Sequence, residues 1–313
     1  MNPTRIVVHN PCNEYTRYYR DYNLFWDELT EELKTQYIVT ENRYYEFANQ
    51  SRFEVRLRKQ TCGEHCFLLM ECEYVIEFED TGDFYILSVS DDLSHAILNE
   101  RENPHLKKVL VSQFDRRKLQ DHVSLTYMEK YSPWIYFPCT VDDLEFFYKK
   151  RKSLEEYIDK MYFRGTSIDD RPIVTHIRSK YLDGYTPIGG PNSYFEDLIN
   201  YKVGLSIAGR GELCYRDIEY MALGIPMLRF NYITELNPNL IPNYHYVALD
   251  RPYNLAIDRL GNREHAELLE QRFLEVKEDK EFLTFISKNA REFYERYLSR
   301  QNRVKHTLSL LNI

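Results

Sequence analysis

The sequence predicts an α/β fold, and three stretches carry that prediction. In residues 201–231 the chain follows the order strand, glycine turn, helix and strand, because the apolar spacing changes from every second residue to a helical period at Cys214. The amino-terminal residues repeat the pattern, with a short apolar strand, a helical stretch over 16–33 and a second strand at 37–40. Residues 264–311 are mostly helical. Strands that alternate with helices in this way are typical of parallel sheets covered by helices.

Composition limits the classes of protein to which the chain can belong. It has 313 residues, of which 43% are hydrophobic, so one large or two medium domains with a real core are expected. The formal net charge of −8 argues against a general nucleic-acid binder, since such proteins need basic faces. The start of the chain has no secretory pattern, and no apolar run approaches the roughly 18–20 residues of a membrane span. The six Cys residues are unevenly spread, which favours reduced thiols and a cytoplasmic location.

The predicted organisation is two domains joined by a helix. Residues 1–140 contain the first set of strands, the last of them at 134–138, and a charged helical pattern follows over residues 141–161. We place the domain boundary at that linker helix, with a second domain over residues 162–313. The amphipathic segment 280–298 is long enough to pack back across the boundary.

A candidate anion site follows the strand at residues 201–207. A glycine turn at 209–211 leads into the helix that starts at Cys214, and glycine occurs where backbone bends sharply or approaches a ligand. The free N–H groups and the dipole of a helix start favour phosphate, and Arg216 in the first turn adds a charge-assisted contact. Glu219, one turn later, would repel phosphate but suits paired hydroxyl groups. The pattern therefore fits a phosphate-plus-sugar ligand such as a nucleotide; the alternative is an ordinary βα unit whose Arg216 and Glu219 form a surface ion pair.

A second glycine turn has the same character at the start of the second domain. Residues 162–167 pass from a strand into a turn rich in hydroxyl groups, and Arg171 follows. Such a turn is common by itself. Two such turns in one domain predict a phosphate site more strongly than either turn does alone. The carboxyl ends of parallel strands meet at one edge of a sheet, where Arg171 and Arg216 could bind one diphosphate.

The candidates for a general base lie in the first domain. Asp91 and Asp92 come directly after an apolar strand at 84–89, where a carboxylate could face a cleft, and His9 ends the first strand. The competing interpretations are structural, since Asp91 is also placed to N-cap the following helix and His9 to stabilise a loop.

The cluster of Cys62, His65 and Cys66, with Cys72 nearby, invites a zinc interpretation. Tetrahedral zinc sites usually present paired CxxC or HxxxH ligands, whereas here one thiol pair flanks a turn. Cys66 and Cys72 adjoin an apolar run at 67–70, so a core location is favoured over a metal site.

Several of these stretches resemble known families of enzymes. The segment Tyr162-Phe-Arg-Gly-Thr-Ser with Arg171 resembles the FRGS…R turn of the CAP10-like protein O-glucosyl- and O-xylosyltransferases. Residues 202–226 resemble the KY…GxG…R element of that family, and equally the G…R…E…GxP element of the exostosin-like transferases. Residues 244–247 resemble the hYVP strand that follows. The likeness covers about residues 160–250, and the order and spacing of the motifs make it more specific than any one motif.

This resemblance implies a glycosyltransferase of the GT-B arrangement, with two Rossmann-like domains facing a central cleft and the C-terminal helix packing back across the boundary. It implies that the second domain binds the nucleotide-sugar donor, UDP-linked with a sugar such as xylose or glucose, and that the first domain binds a glycan or glycosylated acceptor. Glu219 would lie near the nucleoside. The residues assigned to the donor are Arg164, Gly165, Thr166, Ser167, Arg171, Gly209, Arg210, Gly211, Tyr215, Arg216 and Glu219.

The chemistry expected is an inverting, metal-independent transfer. No Asp-x-Asp motif, which holds a divalent ion in another class of glycosyltransferases, occurs in the sequence, so no cofactor is expected. Arg171, Arg216 and amide dipoles would stabilise the departing diphosphate, and Asp91, Asp92 or His9 would deprotonate the acceptor hydroxyl. Two other functions stay open. One is a non-catalytic sugar- or nucleotide-binding module on the same scaffold; the other is a dinucleotide oxidoreductase, although no G-x-G-x-x-G follows the first strand.

Overall fold

The computed structural model divides the chain into two compact units, which are described separately. Unit 1 comprises Met1–Cys139, Thr234–Pro238 and Arg303–Ile313, and unit 2 comprises Thr140–Ile233 and Asn239–Asn302. The structure describes residues 4–10, 20–43, 58–62, 65–69, 73–89, 103–121, 123–137, 141–151, 156–164, 172–184, 191–208, 212–252 and 261–313. Within these ranges, no helix has the length and apolar character needed to cross a membrane.

Unit 1 is built on a mixed sheet. Its elements are β1 (Arg5–Asn10), α1 (Arg20–Lys34), β2 (Ile38–Arg43), β3 (Arg58–Cys62), β4 (His65–Leu69), β5 (Glu73–Phe78), β6 (Phe84–Ser88), β7 (Leu106–Val111), α2 (Arg116–Gln120), α3 (Leu125–Met128), β8 (Tyr131–Pro133) and, at the end of the chain, α9 (Arg303–Leu311). The 6-stranded sheet has the order β2-β1-β5-β6-β7-β8; β5 runs antiparallel to both its neighbours and the other pairs are parallel. Strands β3 and β4 form a separate antiparallel pair.

Apolar side chains cover both faces of the main sheet, as its near-continuous apolar strands require. On one face, strand residues pack with Leu119 of α2 and Met128 of α3. On the other face, Trp26 of α1 stacks on Tyr74 of β5 and on Tyr136, at ring-centroid distances of 4.9 and 5.3 Å. The strand predicted over residues 134–138 is displaced, because β8 lies at Tyr131–Pro133; residues 134–137 follow it and are buried outside a strand.

The last helix, α9, is anchored in unit 1 by buried polar contacts. Arg303, only 3% exposed, pairs with Glu28 of α1 at 2.7 Å and donates to the Phe137 carbonyl at 2.9 Å. Trp134 Nε1 donates to Thr307 Oγ1 at 3.1 Å. The end of the chain therefore completes the core that the amino-terminal residues begin.

Thr307→Val tests this anchor. The Thr307 hydroxyl is buried and donates to the Arg303 carbonyl, and valine would leave the Trp134 N–H without its acceptor. We expect the free energy of unfolding in urea to fall by about 1–2 kcal/mol. Thr284→Val is the matched control, since Thr284 is exposed and also bonds within its own helix; it should cost less than about 0.5 kcal/mol. Equal losses in the two variants would contradict the anchor.

Unit 2 is built on a parallel sheet. Its elements are α4 (Val141–Lys149), β9 (Ile158–Tyr162), a 3₁₀ turn (Pro172–His176), β10 (Leu182–Asp183), α5 (Pro191–Leu198), β11 (Tyr201–Leu205), α6 (Tyr215–Ala222), β12 (Met227–Asn231), β13 (Val247–Pro252), α7 (Asn262–Val276), α8 (Lys280–Phe293) and a π-helical turn (Tyr294–Leu298). The 5-stranded sheet has the order β10-β9-β11-β12-β13, and its strand pairs are parallel. The α/β class with parallel sheets, predicted from the sequence, is confirmed.

Alternate residues of β11 face different helices on the two sides of the sheet. Val203 and Leu205 belong to the core that α7 covers, whereas Gly204 faces α6. A Cβ on Gly204 would lie 2.6 Å from the Tyr220 ring, so α6 approaches the sheet closely only because this position is glycine. Gly224, with a φ of 61°, takes the left-handed conformation just after α6.

One helical prediction for this unit is wrong in extent. The linker helix expected over residues 141–161 ends at Lys149, and Ile158–Tyr162 forms β9 instead, because short apolar runs fit both periods and pairing with β10 and β11 decides between them. The segment 280–298 belongs to unit 2, where Leu283 and Ile286 join the core, and its packing back on the first domain stays a prediction.

A buried histidine makes the stability of unit 2 depend on pH. His245 Nδ1 accepts a hydrogen bond from the Ile241 N–H at 2.9 Å, and burial lowers the pKa of His245 from 6.5 to about 4. The unfolded chain therefore binds a proton between these values while the folded chain does not, so stability is complete above pH 6.5 and falls on acidification towards pH 4. We expect a loss on the order of 2 kcal/mol across this window, measured by urea denaturation.

His245→Asn is the control for this effect. The asparagine Oδ1 can accept the same hydrogen bond but does not titrate, so this component of the pH dependence should disappear. A variant whose acid destabilisation matched that of the wild type would assign the effect to other groups.

Candidate anion-binding site

The candidate site lies where the sheet of unit 2 changes its winding direction. From β9 the chain moves to β10 on one side, and then to β11, β12 and β13 on the other. The connections that leave the carboxyl ends of β9 and β11 therefore diverge, and such a switch point is where open α/β sheets bind ligands. Arg164 follows β9 and Ser206 follows β11.

Helix α6 begins at this switch point. Cys214 is its N-cap, in an extended conformation with φ −102° and ψ 152°, and Asp217 in the first turn accepts a hydrogen bond from the Cys214 N–H at 3.0 Å. The first N–H groups of a helix have no partner within it, and the helix dipole adds partial positive charge there. This end of α6 therefore favours an anion.

Arg216 reaches from α6 to the residues that follow β9. Its Nε and Nη2 donate to the backbone carbonyl of Arg164 at 3.1 and 2.8 Å, and its guanidinium carbon lies 4.5 Å from the centre of the Phe163 ring. The side chain is only 9% exposed, and Nη1 is buried without a hydrogen-bond partner among the described residues. A buried N–H group without an acceptor costs free energy, so an anion that reached Nη1 would be stabilised.

A second arginine stands beside the first. The Arg164 guanidinium carbon lies 6.0 Å from the centre of the Tyr194 ring of α5, and Arg164 itself is half-buried. Arg164 and Arg216 come from the two connections that flank the switch point, so the flanks of both glycine turns are neighbours. The turns at 165–167 and 209–211 and Arg171 lie outside the described residues, and their convergence on one ligand stays a prediction.

Arg216 and Glu219 do not form the surface ion pair that the sequence left open, because Arg216 is buried and bound to a carbonyl. The Glu219 carboxylate instead accepts from the Tyr194 hydroxyl at 2.9 Å. Burial raises the pKa of Glu219, and the Tyr194 hydrogen bond and the Arg216 charge oppose that rise. Burial and the Glu219 charge raise the pKa of Tyr194 well above its usual value, so Tyr194 stays a donor.

Asp217 reaches in the opposite direction, towards β12. It is completely buried, and it accepts hydrogen bonds from Ser206 Oγ, from Arg229 Nη1 at 2.5 Å and from the Tyr232 hydroxyl at 3.0 Å. The first turn of α6 is thus held on both sides of β11, by Arg216 towards β9 and by Asp217 towards β12.

Arg229 adds further contacts around the same turn. Its guanidinium carbon lies 3.2 Å from the centre of the Tyr232 ring, and Nη2 donates to the Glu212 carbonyl at 3.4 Å. Glu212 Oε1 accepts from the Ile233 N–H at 2.6 Å. These bonds attach the residues just before α6 to the end of β12.

Two arginine side chains bind backbone carbonyl groups at the C-terminal end of α6. Arg151 Nη1 donates to the Leu223 carbonyl at 2.8 Å, and Arg291 Nη1 donates to the Ala222 carbonyl. Arg291 also pairs with Glu145 of α4 at 2.7 Å. Positive charge at a helix C-terminus complements the dipole, so α6 is fixed at both ends.

The predicted site residues are only partly within the described ranges. His9 is buried on β1, with Nε2 3.3 Å from Glu77 Oε2 on β5, and its role as a base stays a prediction. Tyr215, the first residue of α6, is half-buried. The predicted residues that lie outside the described ranges are Asp91, Asp92, Gly165, Thr166, Ser167, Arg171, Gly209, Arg210 and Gly211.

Sequence reasoning missed the buried polar group of Asp217, Arg229 and Tyr232. Two signals could have found it. Arg229 stands inside an apolar strand, where a charge requires a buried partner, and Asp217 occupies a helix position that suits capping of the N-terminus.

The cysteine cluster that invited a zinc interpretation falls on the β3–β4 pair. There Cys62 is opposite His65 and Thr61 is opposite Cys66, while Cys72 lies outside the described residues. In the part of the chain that the structure covers, no group of three or more His, Cys, Asp or Glu side chains could hold a metal ion.

Comparison with solved structures adds a distant similarity. No protein-family model matches the sequence, and no curated protein matches it. Among solved structures, the chain is similar to a glycosyltransferase from Rickettsia africae ESF-5, with a TM-score of 0.43 and 12% sequence identity. The match covers 66% of this chain and 63% of that one, so it spans less than two thirds of that protein.

Proposed function

We propose that this protein is a glycosyltransferase that moves a sugar from a nucleotide sugar to an acceptor hydroxyl, with the nucleotide bound by unit 2. The Arg216 guanidinium carries the proposal: it is buried at the start of α6, held by the Arg164 carbonyl, and Nη1 has no acceptor among the described residues. Helix N-termini and arginine both favour phosphate oxygens. The family resemblance of about residues 160–250 supports the same ligand.

The neighbouring groups favour a diphosphate joined to a sugar. The backbone carbonyl of Arg164 binds Arg216, and we propose that the Arg164 guanidinium binds a second phosphate. The Glu219 carboxylate, bonded to Tyr194, would repel phosphate but can accept hydrogen bonds from sugar hydroxyls. A nucleoside diphosphate sugar has both kinds of group. We propose a UDP-linked donor, such as UDP-xylose or UDP-glucose, from the family resemblance.

The proposed reaction is an inverting displacement. The acceptor oxygen attacks the anomeric carbon, the bond between that carbon and the diphosphate oxygen breaks, and negative charge develops on the diphosphate. Arg216 and the start of α6 stabilise that charge, and Arg171 is proposed to join them. The acceptor proton passes to a base, for which Asp91, Asp92 and His9 are the candidates.

A panel of donors tests the proposal. The protein is incubated with UDP-, GDP- and TDP-linked sugars without acceptor, and release of the nucleoside diphosphate by slow hydrolysis is followed. We expect hydrolysis of at least one donor, together with calorimetric binding of its diphosphate. Binding without turnover of any donor would identify a non-catalytic sugar-nucleotide-binding module. No binding of any nucleotide would exclude both functions.

The Cys214 thiol can report whether this site is occupied. Cys214 is half-buried and is the N-cap residue of the helix whose first turn carries Arg216. We expect saturating UDP to slow alkylation of Cys214 by a maleimide about fivefold, because a bound diphosphate would cover the start of α6. Mass spectrometry of the Cys214 peptide gives the rate. Uridine, which lacks phosphate, should not protect, and equal rates with and without UDP would place the diphosphate elsewhere.

A further inference from the structure

Asp217 binds both ends of the connection between β11 and α6. Its Oδ1 accepts from the hydroxyl of Ser206, the first residue after β11. Its Oδ2 accepts from the N–H of Cys214, the N-cap of α6, at 3.0 Å. Residues 207–213 run between these two points, so one carboxylate fixes where the connection leaves the strand and where it enters the helix.

Groups of β12 hold this carboxylate from the other side. Arg229 Nη1 lies 2.5 Å from Asp217 Oδ2, and the Tyr232 hydroxyl donates to the same oxygen at 3.0 Å. The side chains of Asp217 and Arg229 are 0% and 3% exposed, so salt screens this pair much less than a surface pair. The carboxylate therefore has one well-determined position relative to the sheet.

We propose that Asp217 is a positioning residue for ligand binding, because it holds the first turn of α6 in the orientation that directs Arg216 to the switch point. Arg216 and Asp217 are consecutive residues of that turn, so one cannot shift without the other. This inference rests on the proposed function of the same site. A ligand that meets a first turn of α6 already held in place does not have to orient it, and such preorganisation strengthens binding.

Tyr232→Phe tests the inference with little change to the core. The variant removes one hydrogen bond to Asp217 and keeps the ring beside Arg229. Tyr246→Phe is the matched control, since it removes a tyrosine hydroxyl bond of the same unit, to Asn231 at 3.2 Å, that does not reach Asp217. We expect the Kd for UDP, measured by calorimetry, to rise about fivefold in Tyr232→Phe and to stay within about twofold in the control.

The midpoints of urea unfolding of the two variants distinguish a positioning role of Asp217 from a general loss of stability. A positioning role predicts similar midpoints for the two variants and different affinities. Ser206→Ala, which removes the bond to the other carboxylate oxygen, should repeat the affinity loss of Tyr232→Phe. Unchanged UDP affinity in Tyr232→Phe and Ser206→Ala would overturn the inference and leave the proposed function standing. Failure of the wild type to bind UDP, other nucleoside diphosphates or inorganic pyrophosphate would overturn both.

Discussion

Arg216→Ala is expected to lose most of its sugar transfer while the protein remains folded. The variant removes the buried guanidinium whose Nη1 lacks a hydrogen-bond partner among the described residues, and with it the proposed contact to the diphosphate. Losing such a charge-stabilising donor costs about 2–4 kcal/mol in the transition state, or roughly 30- to 1,000-fold in kcat/KM. Donor hydrolysis and the Kd for UDP measure the effect, and circular dichroism with urea denaturation checks the fold.

Two further variants define what the arginine contributes. Arg216→Lys keeps the positive charge but not the planar fork that bonds the Arg164 carbonyl, so partial activity is expected. Arg263→Ala removes an arginine of the same unit that is 80% exposed and pairs with Glu267 on its own helix, and it should behave as wild type. Full activity of Arg216→Ala would exclude the assigned role.

Asp217→Ala is expected to cause the largest loss of stability among single substitutions at the site. It would leave Arg229 charged and buried without its carboxylate partner, and breaking a buried ion pair in this way costs about 3–5 kcal/mol. The free energy of unfolding in urea measures the loss. A loss below about 1 kcal/mol would mean that Arg229 finds another partner or reaches water.

The double variant Asp217→Ala with Arg229→Met separates stability from ligand binding. Methionine carries no charge to bury, so at least half of the stability lost in Asp217→Ala should return. The connection between β11 and α6 would still lack its carboxylate, so UDP affinity should not recover with stability. Recovery of both together would show that Asp217 acts only by stabilising the fold.

The elements of unit 2 that contain their own local signals were predicted best. Strand β11, the start of α6 next to Cys214 and the glycine after that helix each follow from spacing and turn chemistry, and the structure has them. The prediction failed at residues 158–161, where a helical period and a strand fit the same apolar residues. Pairing with β10 and β11, which are distant in sequence, decided that region.

In the candidate site, too, local spacing predicted some features and contacts between distant residues decided others. Helix position and charge pointed to Arg216 as an anion ligand, but spacing on one helix also allowed a surface pair with Glu219. The surface pair is excluded because the Arg164 carbonyl, 52 residues away along the chain, binds two nitrogens of the Arg216 guanidinium. The partners of Asp217 come from β11 and β12 and could not be assigned by local spacing.

By itself, the sequence determined the α/β class, the strands and the helix of residues 201–231, and the charge at the start of α6. These depend on periodicity, on glycine and on the helix dipole, which act between residues close in the chain. Only the tertiary structure decided the strand order that creates the switch point, the contact of Arg216 with Arg164 and the burial of Asp217 with Arg229. Those depend on packing and desolvation, which are fixed only once distant segments lie side by side.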